Sequence, residues 1–167
     1  MNQVIIRPAR LIDAEKLLAL KVALDHESSF MLLSPGERED DRASIKGELA
    51  QAIQYGDCYL VVELGDQLVG YLQAERGRFL KNQHSAYIVV GLLRVVQGLG
   101  IGTRLFEQVD RWAECEKISR LELTVMESNQ AAQYLYLKMG FEIEGRRRHA
   151  LKTVVGYEDE FYMAKVK

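Results

Sequence analysis

Gln97-Gly98-Leu99-Gly100-Ile101-Gly102-Thr103 stands between an aliphatic run, Ala86 to Val96, and a stretch with helical periodicity. Its glycines tolerate positive φ and lack a Cβ, so successive backbone N–H groups can converge on an anion. The helix that follows presents its positive end at the same place. The stretch reads as a phosphate cradle. The run before it is interrupted only by Tyr87, Gly91 and Arg94, as expected of a central strand covered on both faces. After it, Ile101, Leu105, Val109, Trp112 and Ala113 recur at helical spacing, with Arg104, Glu107, Gln108, Asp110, Arg111 and Glu114 on the other face. The loop therefore joins a strand to a helix, the position in which a helix N-terminus holds a phosphate at the end of a sheet.

Two familiar phosphate loops do not fit. A Walker A loop ends in Gly-Lys-Ser/Thr, whereas Gly102 is followed by Thr103 and Arg104. A dinucleotide fold places its glycines in an early turn, with an acidic residue about 20 positions on. Glu122 has that spacing, but the loop comes too late in the chain for a six-stranded dinucleotide sheet to follow.

Gln97-x-x-Gly100-x-Gly102 instead resembles the pyrophosphate loop of the GNAT superfamily of acyl-CoA-dependent N-acetyltransferases. Downstream, Asn129, Ala132, Tyr136, Gly140 and Phe141 resemble that family's Asn-x-x-Ala-x-x-x-Tyr-x-x-x-Gly-Phe helix-to-strand signature. The resemblance extends over essentially the whole chain, because Ile5-Ile6-Arg7-Pro8-Ala9 followed by Asp13-Ala14 looks like the family's first strand and helix. It implies an α/β fold: a single domain, residues 1–167, with a mixed, mainly antiparallel central sheet of about seven strands flanked by about four helices.

Composition agrees. A chain of 167 residues suits one domain, and a domain of that size buries about 70% of its unfolded surface. There are two prolines and no repeat or low-complexity tract, and no apolar run approaches the ~18 residues of a membrane span. The N-terminus runs directly into a strand, so no signal peptide is expected and the location expected is cytoplasmic. Cys58 and Cys115 have no metal-binding or CxxC spacing and read as buried, reduced thiols. No metal site is expected. A net charge of -2 argues against nucleic acid as a partner.

The periodicity predicts a strand over Val4 to Pro8, a helix capped by Asp13 and running to about Glu27, and a loop from Ser28 to Asp41. A second helix follows from about Arg42 to Tyr55. Cys58 to Leu64 and Leu68 to Glu75 form a hairpin around Gly65-Asp66. Beyond the central strand and loop helix come a strand over Arg120 to Val125 and a helix over Gln130 to Met139. Phe141 to Arg148 and Glu158 to Lys165 close the chain as a hairpin.

The family resemblance implies acetyl-CoA as cofactor and an amine, on a small molecule or a protein, as acceptor. Gln97, Gly98, Leu99, Gly100, Ile101, Gly102 and Thr103 would bind its pyrophosphate. In the family a bulge in the central strand frees N–H groups for the pantetheine and the thioester oxygen. Gly91, Leu92 and Leu93 occupy that place, with the Leu92 N–H as oxyanion donor. Gly91 fits a bulge, a close backbone approach or a packing glycine. Tyr136 would be the general acid for the departing thiolate, against the plainer reading of a core tyrosine; Tyr134 is the weaker alternative. Asn129 would contact the pantetheine, cap the following helix, or do both.

An amine with a pKa of about 10.4 is neutral in only about one molecule in 2,500 at pH 7, so a base is needed. Glu127 and Glu75 are the candidates, with His84 behind them, and each is also readable as an ordinary surface residue. Arg146-Arg147-Arg148-His149 reads as a solvated edge, an anionic substrate subsite or a ribose-phosphate contact. Glu37, Glu39, Asp40 and Asp41 either attract a cationic acceptor or favour the start of a helix. No cysteine neighbours the assigned site, so direct transfer in a ternary complex is expected. A non-catalytic acyl-CoA-binding module is the alternative. Family members are often dimers through their terminal strands, so a homodimer is an expected assembly.

Overall fold

The computed structural model describes residues 3–39 and 41–167. Strands and helices follow as β1 (Val4–Pro8), α1 (Ala14–Glu27), α2 (Arg42–Tyr55), β2 (Cys58–Leu64), β3 (Gln67–Arg76), β4 (Ser85–Leu92), α3 (Ile101–Cys115), β5 (Arg120–Met126), α4 (Gln130–Lys138), β6 (Glu142–Thr153) and β7 (Gly156–Val166). Single 3-10 turns occupy Leu11–Asp13 and Arg94–Val96. The strands form a seven-stranded sheet in the order β1-β2-β3-β4-β5-β7-β6. β4 runs parallel to β5, over Ser85 to Tyr87 paired with Arg120 to Glu122. The pairings β1·β2, β2·β3, β5·β7 and β6·β7 are antiparallel. The expected mixed, mainly antiparallel sheet with four helices is thus observed.

Residues 1–75 with 89–109 form one compact unit, and residues 76–88 with 110–167 a second. In the first, Leu17, Leu20 and Leu24 of α1 and Ile45, Leu49 and Ala52 of α2 recur every three or four residues. They bury one stripe of each helix against Tyr59, Val61, Leu68 and Tyr71 of the hairpin. Asp41 starts α2 by accepting a hydrogen bond from the Ser44 N–H at 2.8 Å. Gly56 ends it in the left-handed conformation, φ 69°.

In the second unit β7 pairs with β5 on one side and β6 on the other. The β6·β7 hairpin turns at Val154-Val155, and its register shifts between Arg147 and Leu151, where His149 has φ 50°. Lys165 of β7 is anchored by Asp110 of α3 at 2.8 Å.

Several expectations need correction. Asp13 precedes α1 but makes no side-chain cap to it. Its carboxylate is taken by the Arg7 guanidinium through two 2.8 Å bonds, and by the Arg10 N–H at 2.7 Å. The central strand stops at Leu92, because residues 94–96 close a 3-10 turn through Val96 N–H to Leu93 and Gln97 N–H to Arg94. A short apolar run does not distinguish strand from turn. Nor is β4 covered on both faces: Ala86 and Ile88 are buried while Tyr87 and Val89 are exposed. The terminal strands are longer than expected, reaching Thr153 and starting at Gly156. Cys58 is buried, but Cys115, last residue of α3, is exposed; both thiols are free.

Candidate active site

In the first unit Gly98 and Gly100 adopt φ 73° and 75°. A Cβ at either would meet nothing within 4 Å, so glycine is required here by conformation and not by crowding. α3 starts at Ile101, and the Arg104 N–H donates to the Gly100 carbonyl at 3.2 Å. The first turn of any helix carries N–H groups with no carbonyl one turn earlier to receive them. That of α3 carries no acidic residue. The positive end of a helix, beside two left-handed glycines, fits a pyrophosphate.

The exposed Gln97 side chain turns back toward β4, its Nε2 donating to the Leu92 carbonyl at 2.9 Å. It therefore braces the end of β4. The Leu93 N–H donates to the Val69 carbonyl of β3 at 2.9 Å. It is committed to the sheet, which corrects the expectation that it is open to the pantetheine. Because adjacent N–H groups in extended chain point to opposite edges, the Leu92 N–H is directed away from β3. Gly91 is a packing glycine: a Cβ would lie 2.7 Å from Leu24 Cδ1 and 3.2 Å from Tyr71 Cε1.

In the second unit the Asn129 side chain accepts from the Ala132 N–H at 3.2 Å and caps α4. Gln133 Nε2 donates to the carbonyls of Met126 and Glu127 at 3.1 and 2.7 Å, tying the helix to the end of β5. Tyr136 is 7% exposed, with the Phe141 ring 6.1 Å from its own. Burial first, and then the neighbouring Tyr87, push its phenol well above the ordinary value, so it holds its proton at neutral pH. Tyr134 is 73% exposed, on another face.

The base candidates are all on the surface. Glu127 is paired with Arg146 at 2.9 Å, Glu75 is exposed near the end of β3, and exposed His84 is held by its carbonyl, which accepts from Ser119 and Arg120. The basic cluster reads as a solvated edge. Arg146 also bonds Asp159 at 3.1 Å and lies over the Phe161 ring, and Arg147 faces Glu160 at 3.7 Å. The register shift between Arg147 and Leu151 breaks the strand alternation just after the cluster's first two arginines. In the acidic segment Glu37 accepts from the Ser34 N–H and Asp41 caps α2, while Asp40 lies outside the described residues.

The sequence reading missed a charged network under the 28–41 loop. Arg38 clasps Asp25 through bonds of 2.6 and 3.0 Å, and Asp25 is 3% exposed. Lys21 meets Glu48 at 2.8 Å and lies over the Tyr71 ring. The available signal was Lys21 and Asp25 themselves, charged residues four apart on the same helix face as Leu17 and Leu24. Among the described residues no cluster could hold a metal ion, and no helix is long and apolar enough to cross a membrane.

Known proteins resemble this chain in sequence and fold. The model of the Acetyltransferase (GNAT) family matches residues 22–141. The L-amino acid N-acetyltransferase AaaT of Escherichia coli (strain K12) is 28% identical over 181 residues, covering 100% of both chains. A GNAT-family acetyltransferase from Streptococcus pneumoniae has a TM-score of 0.92 at 25% identity, over 98% of this chain and 99% of that one. A GNAT superfamily phosphinothricin acetyltransferase from Sinorhizobium meliloti, solved in complex with acetyl-CoA, shares the fold with a TM-score of 0.85. It is 15% identical, over 98% of this chain and 88% of that one.

Proposed function

The chain belongs to the GNAT acetyltransferase family, and we propose that residues 1–167 work as a single domain that transfers acetyl directly to a primary amine within a ternary complex. It is an acetyl-CoA-dependent N-acetyltransferase. When bound, acetyl-CoA supplies the activated thioester. The observation that carries the reading is the pair of left-handed glycines, Gly98 and Gly100, ahead of an acid-free helix start.

The loop from Gln97 to Thr103 binds the pyrophosphate, Gln97 by bracing it on the Leu92 carbonyl, and Gly91 to Leu93 form the wall beside the pantetheine. As the amine adds to the thioester carbonyl, negative charge develops on oxygen, and the Leu92 N–H donates to it. Collapse breaks the C–S bond, and Tyr136 passes its proton to the departing sulfur. Its buried, protonated phenol supports that role. Asn129 orders the start of α4, and with it Tyr136, and contacts the pantetheine. Glu127 or Glu75 takes the proton that the amine must lose, directly or through water.

Direct transfer is favoured because the buried Cys58 thiol is pushed up to about 12 by desolvation, which suppresses the nucleophilic thiolate. Double-reciprocal plots at fixed acceptor concentrations should intersect; parallel lines, with acetyl-cysteine found by mass spectrometry, would overturn the route. Free L-amino acids are the acceptors to test first, since the Escherichia coli relative carries that activity in its name. Acetyl-CoA consumption across a panel of amino acids, polyamines and peptides measures the choice. The reading includes a cytoplasmic location, in keeping with two free cysteines. It also includes a homodimer through the terminal strands, for which β6 offers a sheet edge; light scattering checks it.

A further inference from the structure

The segment from Leu92 to Gln97 links the end of β4 to the glycine loop, and besides the two bonds of its own 3-10 turn three contacts hold it. Two are local to the sheet: Leu93 N–H to Val69, and Gln97 Nε2 to the Leu92 carbonyl. The third comes from α1. The carboxylate of Glu27 accepts the Arg94 backbone N–H, and the Arg94 guanidinium donates back to the Glu27 carbonyl at 2.9 Å. Residues 27 and 94 thus clasp each other reciprocally, across 67 positions of sequence.

Helix energetics alone disfavour this residue here. Glu27 is the last residue of α1, where the helix dipole opposes a negative charge and a cation is preferred. The clasp offsets this, since Arg94 supplies a cation and its guanidinium also satisfies one of the helix's terminal carbonyls. A locally unfavourable residue with a specific distant partner points to a role beyond helix stability. The partner is the backbone between Leu92 and the glycine loop. The residue after Glu27 opens the 28–41 loop.

We propose that Glu27 is a positioning residue for acetyl-CoA: its carboxylate, by holding the Arg94 N–H, sets the backbone at the end of β4 and the entry to the pyrophosphate loop. The inference rests on the acetyl-CoA reading of that loop. An N–H bonded to a carboxylate is among the stronger hydrogen bonds, so losing it allows residues 92–97 to sample other arrangements and raises the cost of ordering them on binding. A neutral amide at position 27 keeps an acceptor oxygen for Arg94, whereas a methyl group keeps none.

Calorimetric titration with acetyl-CoA, thermal unfolding and backbone hydrogen exchange on the wild type, Glu27→Gln and Glu27→Ala provide the test. Wild-type protein should bind acetyl-CoA. Glu27→Ala should bind about tenfold or more weakly, with faster exchange at Arg94 in the free protein and a folded state at assay temperature. Glu27→Gln should recover most of both losses. Wild-type affinity in Glu27→Ala, or a Glu27→Gln variant as impaired as Glu27→Ala, overturns the proposal while leaving the cofactor reading intact. Failure of the wild type itself to bind acetyl-CoA overturns that reading, and this inference with it.

Discussion

At the level of single residues, the environment of each ionisable group sets what it can do. The Tyr136 hydroxyl is buried and holds its proton. Tyr136→Phe should fold and bind acetyl-CoA normally while kcat falls at least ~10-fold, since general acid catalysis contributes about 10²- to 10⁴-fold. Near wild-type turnover with chemistry rate-limiting would assign the proton to another group or to water. The two cysteines should separate by reactivity. Cys115 is exposed, and the Cys58 thiol is buried and pushed up to about 12. Iodoacetamide at pH 8 should label Cys115 in the native protein and reach Cys58 only after unfolding. Asp13 contributes a pH dependence of stability. The Arg7 guanidinium foremost, and the Arg10 N–H after it, hold its carboxyl below the usual range. The folded state thus favours the charged form, so the stabilisation is complete above the unfolded pKa of about 3.9 and is lost as pH falls through the folded value. Urea midpoints measured downward from pH 5 should fall less steeply in Asp13→Asn than in wild type. Identical slopes would mean that other carboxylates carry the acid transition.

At the level of elements, the turn into α3 and the start of α4 are the two places where local backbone chemistry serves the site. Gly100→Val introduces a β-branched residue at φ 75°, where space is open but the conformation is unfavourable. The loop should relax away from its anion-binding form. The outcome expected is a folded protein with strongly weakened acetyl-CoA binding by calorimetry; unchanged affinity would refute the placement of the pyrophosphate. Asn129 is bonded to the Ala132 N–H as the cap of α4. Its replacement by alanine should lower stability by about 1 kcal/mol, read from denaturant midpoints. If Asn129 also contacts pantetheine, the variant will show a raised KM for acetyl-CoA beyond what Asn129→Asp shows, since aspartate retains the cap.

At the level of the whole molecule, the seven-stranded sheet and four helices share their fold with a GNAT-family acetyltransferase from Streptococcus pneumoniae. Much of that was legible in the chain itself. Gly98 and Gly100 announce positive φ, because no other residue type adopts it as readily. The stripe Ile101, Leu105 and Val109 announces a buried helix face, and Asn129 ahead of Ala132 announces a cap. These signals are local, written in spacing and in the conformational freedom of single residues. Where the sequence misled, the deciding force acted at a distance. Asp13 is drawn from its expected cap by Arg7 on β1. The Leu93 N–H is taken by Val69 of the neighbouring strand. Asp25 and Arg38, 13 positions apart, meet only because the chain carries Arg38 back onto α1, and Glu27 meets Arg94 across 67. Sequence by itself determined the elements, the glycine loop and the family, since each depends on residues close together in the chain. Tertiary structure alone decided which N–H groups at the end of β4 are occupied and which charges are paired, because a hydrogen bond belongs to whichever partner the fold brings within reach.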